Sequence, residues 1–144
     1  MMSKMTSLKI RKFASEDIGP VIELLQEVSI YRPKDDLIAS LAHKFITSPN
    51  SVGRVLDSNG NVIGFGSMFV LDRIRGGNSG IIEDVVIAPH SRNQGLGRLL
   101  IEDLLDQARM QGCFKVTLES SLVGEKFYQA VGFKSAGRAM RFLL

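Results

Sequence analysis

The sequence predicts an α/β (α+β) fold on a mixed central sheet, with elements in the order β-α-α-β-β-β-α-β-α-β. Three observations carry this expectation. Apolar residues recur at helical spacing in some segments and as β-branched runs in others. Asn59-Gly60, between two apolar runs, signals a hairpin and therefore antiparallel strands. The turn RNQGLG joins a strand end to a long amphipathic segment, as in a crossover connection between parallel strands.

The elements follow in order. Residues 8–13 read as a short strand, and Ile18, Val21, Ile22, Leu25 and Val28 then share one helical face. Pro20 lacks an N–H and fits only a first turn, which makes Asp17 the expected N-cap. A second helix lies between Pro33 and Pro49, with Leu37, Ile38, Leu41, Ala42 and Phe45 on its apolar face. Residues 52–57 and 62–71 form the hairpin strands, and DRIRGGNSG is a flexible connection into the strand IIEDVVI. After RNQGLG, Leu96, Leu99, Leu100, Leu104, Leu105 and Ala108 line a long helix that Gly112 stops. Residues 115–120 read as a strand, 125–131 as a short helix ending at Gly132, and 133–143 as a last strand closing the sheet.

Residues 1–7 are expected to be a flexible N-terminus and 8–144 a single domain, long enough to bury roughly two-thirds of its unfolded surface. Eighteen basic residues against fifteen acidic leave a net charge of +3. No block of like charges stands out, so neither nucleic acid nor a membrane surface is an expected partner. The single Cys113 excludes an intrachain disulfide, and no Cys/His grouping suggests a metal. A reducing cytoplasm is the expected setting. No apolar run is long enough to span a membrane, and the opening MMSKMTSLKI has no signal-peptide core. Cys113 reads as a small core residue, His90 as an exposed polar residue, and His43 has no partner that suggests a role.

The chemistry concentrates in IIEDVVIAPHSRNQGLG, residues 81–97. Its β-branched residues suit a strand buried on both faces, yet Glu83 and Asp84 sit in the middle. An ionised carboxylate buried without partners costs several kcal/mol, so these acids need compensation or a task. Pairing with Arg73 or Arg75 is one form of compensation. Adjacent strand residues face opposite sides, so the two acids should differ in role unless a bulge re-aims one of them. The turn that follows places glycines and a helix N-terminus where the backbone approaches a ligand closely, a site suited to phosphate or pyrophosphate. Arg92 and Arg98 add charge on either side. The turn is neither a Walker loop nor a dinucleotide fingerprint, since the spacing of both is absent.

Arg92-x-x-Gly95-x-Gly97 resembles the acyl-coenzyme A pyrophosphate loop of the GNAT acetyltransferase superfamily. The likeness covers nearly all of residues 8–144: two helices after the first strand, a hairpin, a central strand, the loop, a long helix, then Phe127-Tyr128. It implies acetyl-CoA as cosubstrate, no metal, and transfer of acetyl to a primary amine. It also implies a GNAT-like sheet whose central strand splays from its neighbour. Val85, Val86 and Ile87 would then pair with the pantetheine arm, while Asn93, Gln94, Gly95, Leu96, Gly97 and Arg98 would hold the pyrophosphate.

Within the superfamily, GIIEDVVI, FKVTLE and EKFYQAVGF are similar to the branch that acetylates glucosamine 6-phosphate. That resemblance implies that Glu83 and Asp84 bind or polarise the acceptor amine. Tyr128 would stand beside the thioester sulfur, its phenol (pKa near 10) serving the leaving thiolate. Lys115 and Arg141, with Arg138 a further candidate, would meet the sugar phosphate. The C-terminal strand would be exchanged within a homodimer. The chain departs from the branch at Gly124, where an asparagine is usual, at Ser120 for a cysteine, and at Ile81 for a histidine. Two other readings stay open: a GNAT enzyme for another small amine, an amino acid or a protein amine, and a non-catalytic acyl-CoA sensor.

Overall fold

A computed structural model describes residues 7–144, so the expected flexible N-terminus lies, Ser7 apart, outside the described residues. Strand β1 (Leu8–Lys12) leads through a 3-10 turn (Ser15–Asp17) into helix α1 (Ile18–Leu25). A second such turn (Asp35–Leu37) precedes α2 (Ile38–Thr47). Strands β2 (Ser51–Ser58), β3 (Asn61–Asp72) and β4 (Asn78–Ile87) follow, then α3 (Leu96–Met110), β5 (Cys113–Leu118) and α4 (Glu125–Val131).

The five strands form one sheet in sequence order, with β1 to β4 antiparallel and β5 parallel to β4. It is a mixed sheet, as predicted. The hairpin turns at Asn59 and Gly60, whose φ angles of 52° and 88° are both left-handed. That conformation matches the right-handed twist of the flanking strands and is open to Asn and Gly at little cost.

Helices cover both faces. On one side α3 packs Ile101, Leu104 and Ala108 against Met68, Val70 and Ile82. On the other, α1 and α2 bring Val21 and Phe45 against Phe13, Val55, Phe65 and Val86. The face of α3 is rotated from the predicted one. Ile101 is fully buried while Leu99 is 45% exposed, because the sheet meets α3 along 96, 100, 101, 104 and 108.

Asp17 directly precedes α1, as expected of an N-cap, yet its side chain does not cap that helix. Its carboxylate instead accepts from the Ala14 N–H and from both terminal nitrogens of Arg11. Arg11 Nε also donates to Asp57 at 2.9 Å, joining β1, the start of α1 and the end of β2 through one guanidinium. These hydrogen bonds hold both carboxyls below the usual carboxylate range.

The expected last strand is absent: no strand is formed after Val131, and Met140, Phe142 and Leu143 stand exposed. A strand needs an edge to pair with, and this segment meets none among the described residues. Strand β5 also starts two residues earlier than predicted, at Cys113.

Candidate active site

Strand β4 has two unlike halves. From Asn78 to Ile82 it pairs with β5, but β5 ends at Leu118, leaving residues 83–87 without a strand neighbour on that side. Backbone groups facing that side are open to an extended ligand, because paired β-strands satisfy them only through a neighbour. The two strands therefore part where the two acids begin.

The other edge explains how the acids are aimed. Ile82 pairs with Met68 and Val85 with Gly66, so Ser67 of β3 faces both Glu83 and Asp84. This is a β-bulge, which inserts one residue and reverses the alternation beyond it. Ile82 accordingly packs on the α3 side, whereas Val86, four residues on, packs on the side of α1 and α2. Glu83 keeps the parity of Ile81 and Asp84 that of Val86, so both lean toward α1 and α2. Plain alternation would have set them on opposite faces; the bulge, the exception the sequence reading allowed for, re-aims one of them.

Ser67 is 2% exposed, and its hydroxyl accepts the Asp84 N–H at 3.3 Å. Glu83 is exposed; Asp84 is half-buried. Burial pushes the Asp84 carboxyl above the ordinary carboxylate range. Among the described residues no side chain donates to that carboxylate, and neither Arg73 nor Arg75 pairs with either acid. Arg73 lies over the Phe114 ring instead.

Asp84 and Ser67 form part of the sheet-side wall of a cavity of about 520 Å³ beneath α1 and α2. Its other walls include Phe13, Phe45, Phe65 and Phe69, held edge to face at centroid distances of 5.6 to 6.0 Å. At about 24 cal/mol per Å³, a sealed void of that size would cost about 12 kcal/mol. That equals the whole stability of an ordinary domain. The cavity is thus a cleft open to solvent, entered beside Leu41 and Lys44, both exposed.

At the far end of β4 the chain turns through residues 88–95 into α3. Asn93 and Gly95 have left-handed φ angles of 64° and 76°, which wrap the backbone before the helix starts. The first N–H groups of α3 have no intrahelical acceptor and lie at its positive dipole end. Both arginines here already have partners: Arg98 pairs with Glu102 at 2.9 Å, and Arg92 donates to the Ile87 carbonyl at 3.1 Å and approaches Glu27 at 3.6 Å.

Helix α4 flanks this corner. A Cβ on Gly97 would lie 3.4 Å from the Phe127 ring, so a small residue there lets α4 sit against the loop. Tyr128, next to Phe127, packs edge-on to it at 5.1 Å and to Phe133 at 5.8 Å. Burial raises the Tyr128 phenol further above neutral pH and keeps its proton in place. Gly124 leaves α4 without a side-chain cap, and the Gly124 N–H donates to the Ser121 hydroxyl at 3.1 Å.

Lys115 and Arg141 are not brought to the cavity. Lys115 stands over Phe114 at 5.6 Å, and Arg141 approaches Glu119 at 3.6 Å on the unpaired C-terminal segment. Two features escaped the sequence reading. Ser67 carried a faint signal, a lone hydroxyl in the apolar strand GFGSMFV. The tie from Arg92 to the end of α1 carried none, since it depends on tertiary approach.

The Acetyltransferase (GNAT) family model matches residues 21–133. Over 97% of its length the chain is 32% identical to the glucosamine 6-phosphate N-acetyltransferase of Trypanosoma brucei brucei, covering 98% of that protein. The solved Trypanosoma brucei acetyltransferase superposes with a TM-score of 0.87 at 31% identity, over 96% of this chain and 100% of that one. The glucosamine-6-phosphate N-acetyltransferase structure from Arabidopsis thaliana gives 0.88 at 26% identity, over 95% and 98%. Agreement on this scale, around a parted strand pair and a glycine corner that the motif had already singled out, makes the chain a member of the GNAT acetyltransferase family and an N-acetyltransferase.

Proposed function

We propose that this enzyme transfers acetyl from acetyl-CoA to a primary amine by direct attack, that glucosamine 6-phosphate is the acceptor, and that residues 8–144 act as one domain of a cytoplasmic homodimer. The observation that carries the chemistry is the half-buried Asp84 carboxylate without a partner, at the point where β4 and β5 separate. The acceptor rests on the extent of the likeness to the trypanosomal relative.

The residues fit an acyl-coenzyme A. The open side of residues 83–87 offers an extended arm its backbone partners, and the amides of Asn93, Gln94, Gly95, Leu96, Gly97 and Arg98 suit a pyrophosphate. Acetyl-CoA supplies an acetyl group activated as a thioester. Val85 presents free backbone on the open side and the Ile87 carbonyl there is shared with Arg92, whereas the Val86 backbone is turned toward β3. Arg92 and Arg98 reach phosphate only by exchanging Glu27 and Glu102.

An arriving ammonium meets Asp84, whose raised pKa brings it nearer to the pH at which a proton must be taken. Glu83, exposed on the same side, orients the acceptor. Once neutral, the nitrogen attacks; the N–C bond forms as the C–S bond breaks, Tyr128 gives its phenolic proton to the departing sulfur, and the proton shed by the new amide nitrogen returns the phenolate to phenol, directly or through water. Backbone N–H groups of the open strand steady the charge on the carbonyl oxygen. A coenzyme sensor without chemistry would need neither the unpartnered acid nor the buried phenol.

The sugar phosphate calls for basic side chains that the cavity of one protomer lacks, Lys44 excepted. Exchange of the C-terminal segment between two copies would pair it with a sheet edge, bury Met140 and Phe142, and carry Arg141 to the neighbouring site. The test is thiol release from acetyl-CoA with glucosamine 6-phosphate and with glucosamine, alongside light scattering. Turnover of the phosphorylated sugar alone by a species of twice the chain mass is expected. Equal use of both sugars, or a monomer, overturns the corresponding part.

A further inference from the structure

The cavity under α1 and α2 does not look like a site made only for a sugar. Its walls are largely aliphatic and aromatic, and its polar groups are few: Ser48, Ser51 and Ser67, Lys44 at the mouth, and Asp84 on the sheet side. A hexosamine presents hydroxyls around its ring, and each buried hydroxyl needs a partner or loses its water at a cost. The four phenylalanines offer none.

We infer that the cleft between α1, α2 and the sheet binds primary amines carrying an aromatic or branched aliphatic body, with the ammonium on Asp84 and the body among Phe13, Phe45, Phe65 and Phe69, and that such amines are a second class of acetyl acceptor. Charge complementarity sets which end goes where. Among the described residues the carboxylate has no cation, so an ammonium supplies what burial removed. The rings brace one another edge to face, so the walls are formed before a ligand arrives. The volume of about 520 Å³ lies within the roughly 300–1,000 Å³ usual for small-ligand sites. Asp84 also stands where β4 leaves β5, so an amine held there borders the opening in which an acyl donor would lie. Binding is independent of the acetyl-transfer reading; turnover rests on it.

The binding test uses calorimetry on the coenzyme-free full chain with 2-phenylethylamine, isopentylamine and ethanolamine. The two apolar amines are expected to bind at least tenfold more tightly than ethanolamine. Across unbranched alkylamines, affinity should rise about threefold to fourfold per methylene until the cleft is full. Asp84→Asn should weaken 2-phenylethylamine about tenfold, and Leu41→Trp, at the exposed mouth, should weaken it by a similar factor. Equal affinity for apolar and polar amines overturns the inference, as does 2-phenylethylamine binding that neither variant changes. The unbranched series needs no variant, so it decides the matter even where a substitution impairs folding.

Thiol release with acetyl-CoA then separates the two readings. Turnover of glucosamine 6-phosphate with no binding of apolar amines leaves the proposed acceptor standing and sinks the inference. Binding and turnover of 2-phenylethylamine without turnover of the sugar phosphate does the reverse.

Discussion

The two faces of the sheet are packed to different standards. Against α3, Leu100, Ile101 and Leu104 are fully buried, and the opening on that side lies off this contact, beside Ala108, Val116 and Phe133. Against α1 and α2, a comparable set of apolar side chains surrounds an open cleft, and Leu41 remains 40% exposed. On one face the centre of the contact is sealed; on the other the opening lies at the centre, beside Asp84. Helix α3 lies on its face as a single helix of fifteen residues, whereas two shorter helices, of eight and ten, share the other and leave the cleft between themselves and the sheet.

That contrast can be broken from the α3 side first. Leu104→Ala should lower unfolding free energy by about 3 kcal/mol, read from denaturant midpoints, since the site is sealed and collapses poorly. A loss under about 1 kcal/mol would mean that the α3 face is as loose as its counterpart. Next in size is Tyr128→Phe, which keeps the ring packed on Phe127 and Phe133 but removes the proton. Turnover should fall about a hundredfold, at the lower end of general acid catalysis, with coenzyme affinity within about twofold. Unchanged turnover would take Tyr128 out of the chemistry.

Acid should sharpen the comparison through Arg11. Asp17 and Asp57 are depressed in the folded chain, so their contribution is complete above the unfolded carboxylate pKa near 4 and is lost as pH falls through their folded values. The loss should be seen as a falling melting temperature below about pH 4. Arg11→Met should flatten that fall, because the two acids then lose the cation that depresses them. The smallest expected effect is Leu41→Ala on the open face, less than about 1 kcal/mol by the same midpoint measurement.

Much of this was legible in the chain itself. Asn59-Gly60 has the left-handed backbone that the pair demands, and RNQGLG opens a helix after a strand as its spacing implied. Both are local signals, which a single segment can carry. The bulge at Glu83 and Asp84 was not legible, because it is a property of two strands in register. The C-terminal segment misled for a related reason: FKSAGRAMRFL has strand-forming residues, but pairing depends on an available edge. On α3 the choice of Leu99 over Ile101 erred because both lie near the apolar stripe and only the docking angle separates them.

The doubled acids of β4 also set which errors this stretch can survive. Swapping either one for a neutral isostere removes a charge and leaves the lattice of the strand alone. Excising either one is a different lesion. It would take out the extra residue and leave a single acid opposite Ser67 in plain register with β3, so Val86 would still pair with Phe65 and face Phe13. Point changes at 83 and 84 therefore interrogate chemistry, whereas a single-codon deletion there would erase the bulge and one acid together while keeping inside and outside for the rest of the strand.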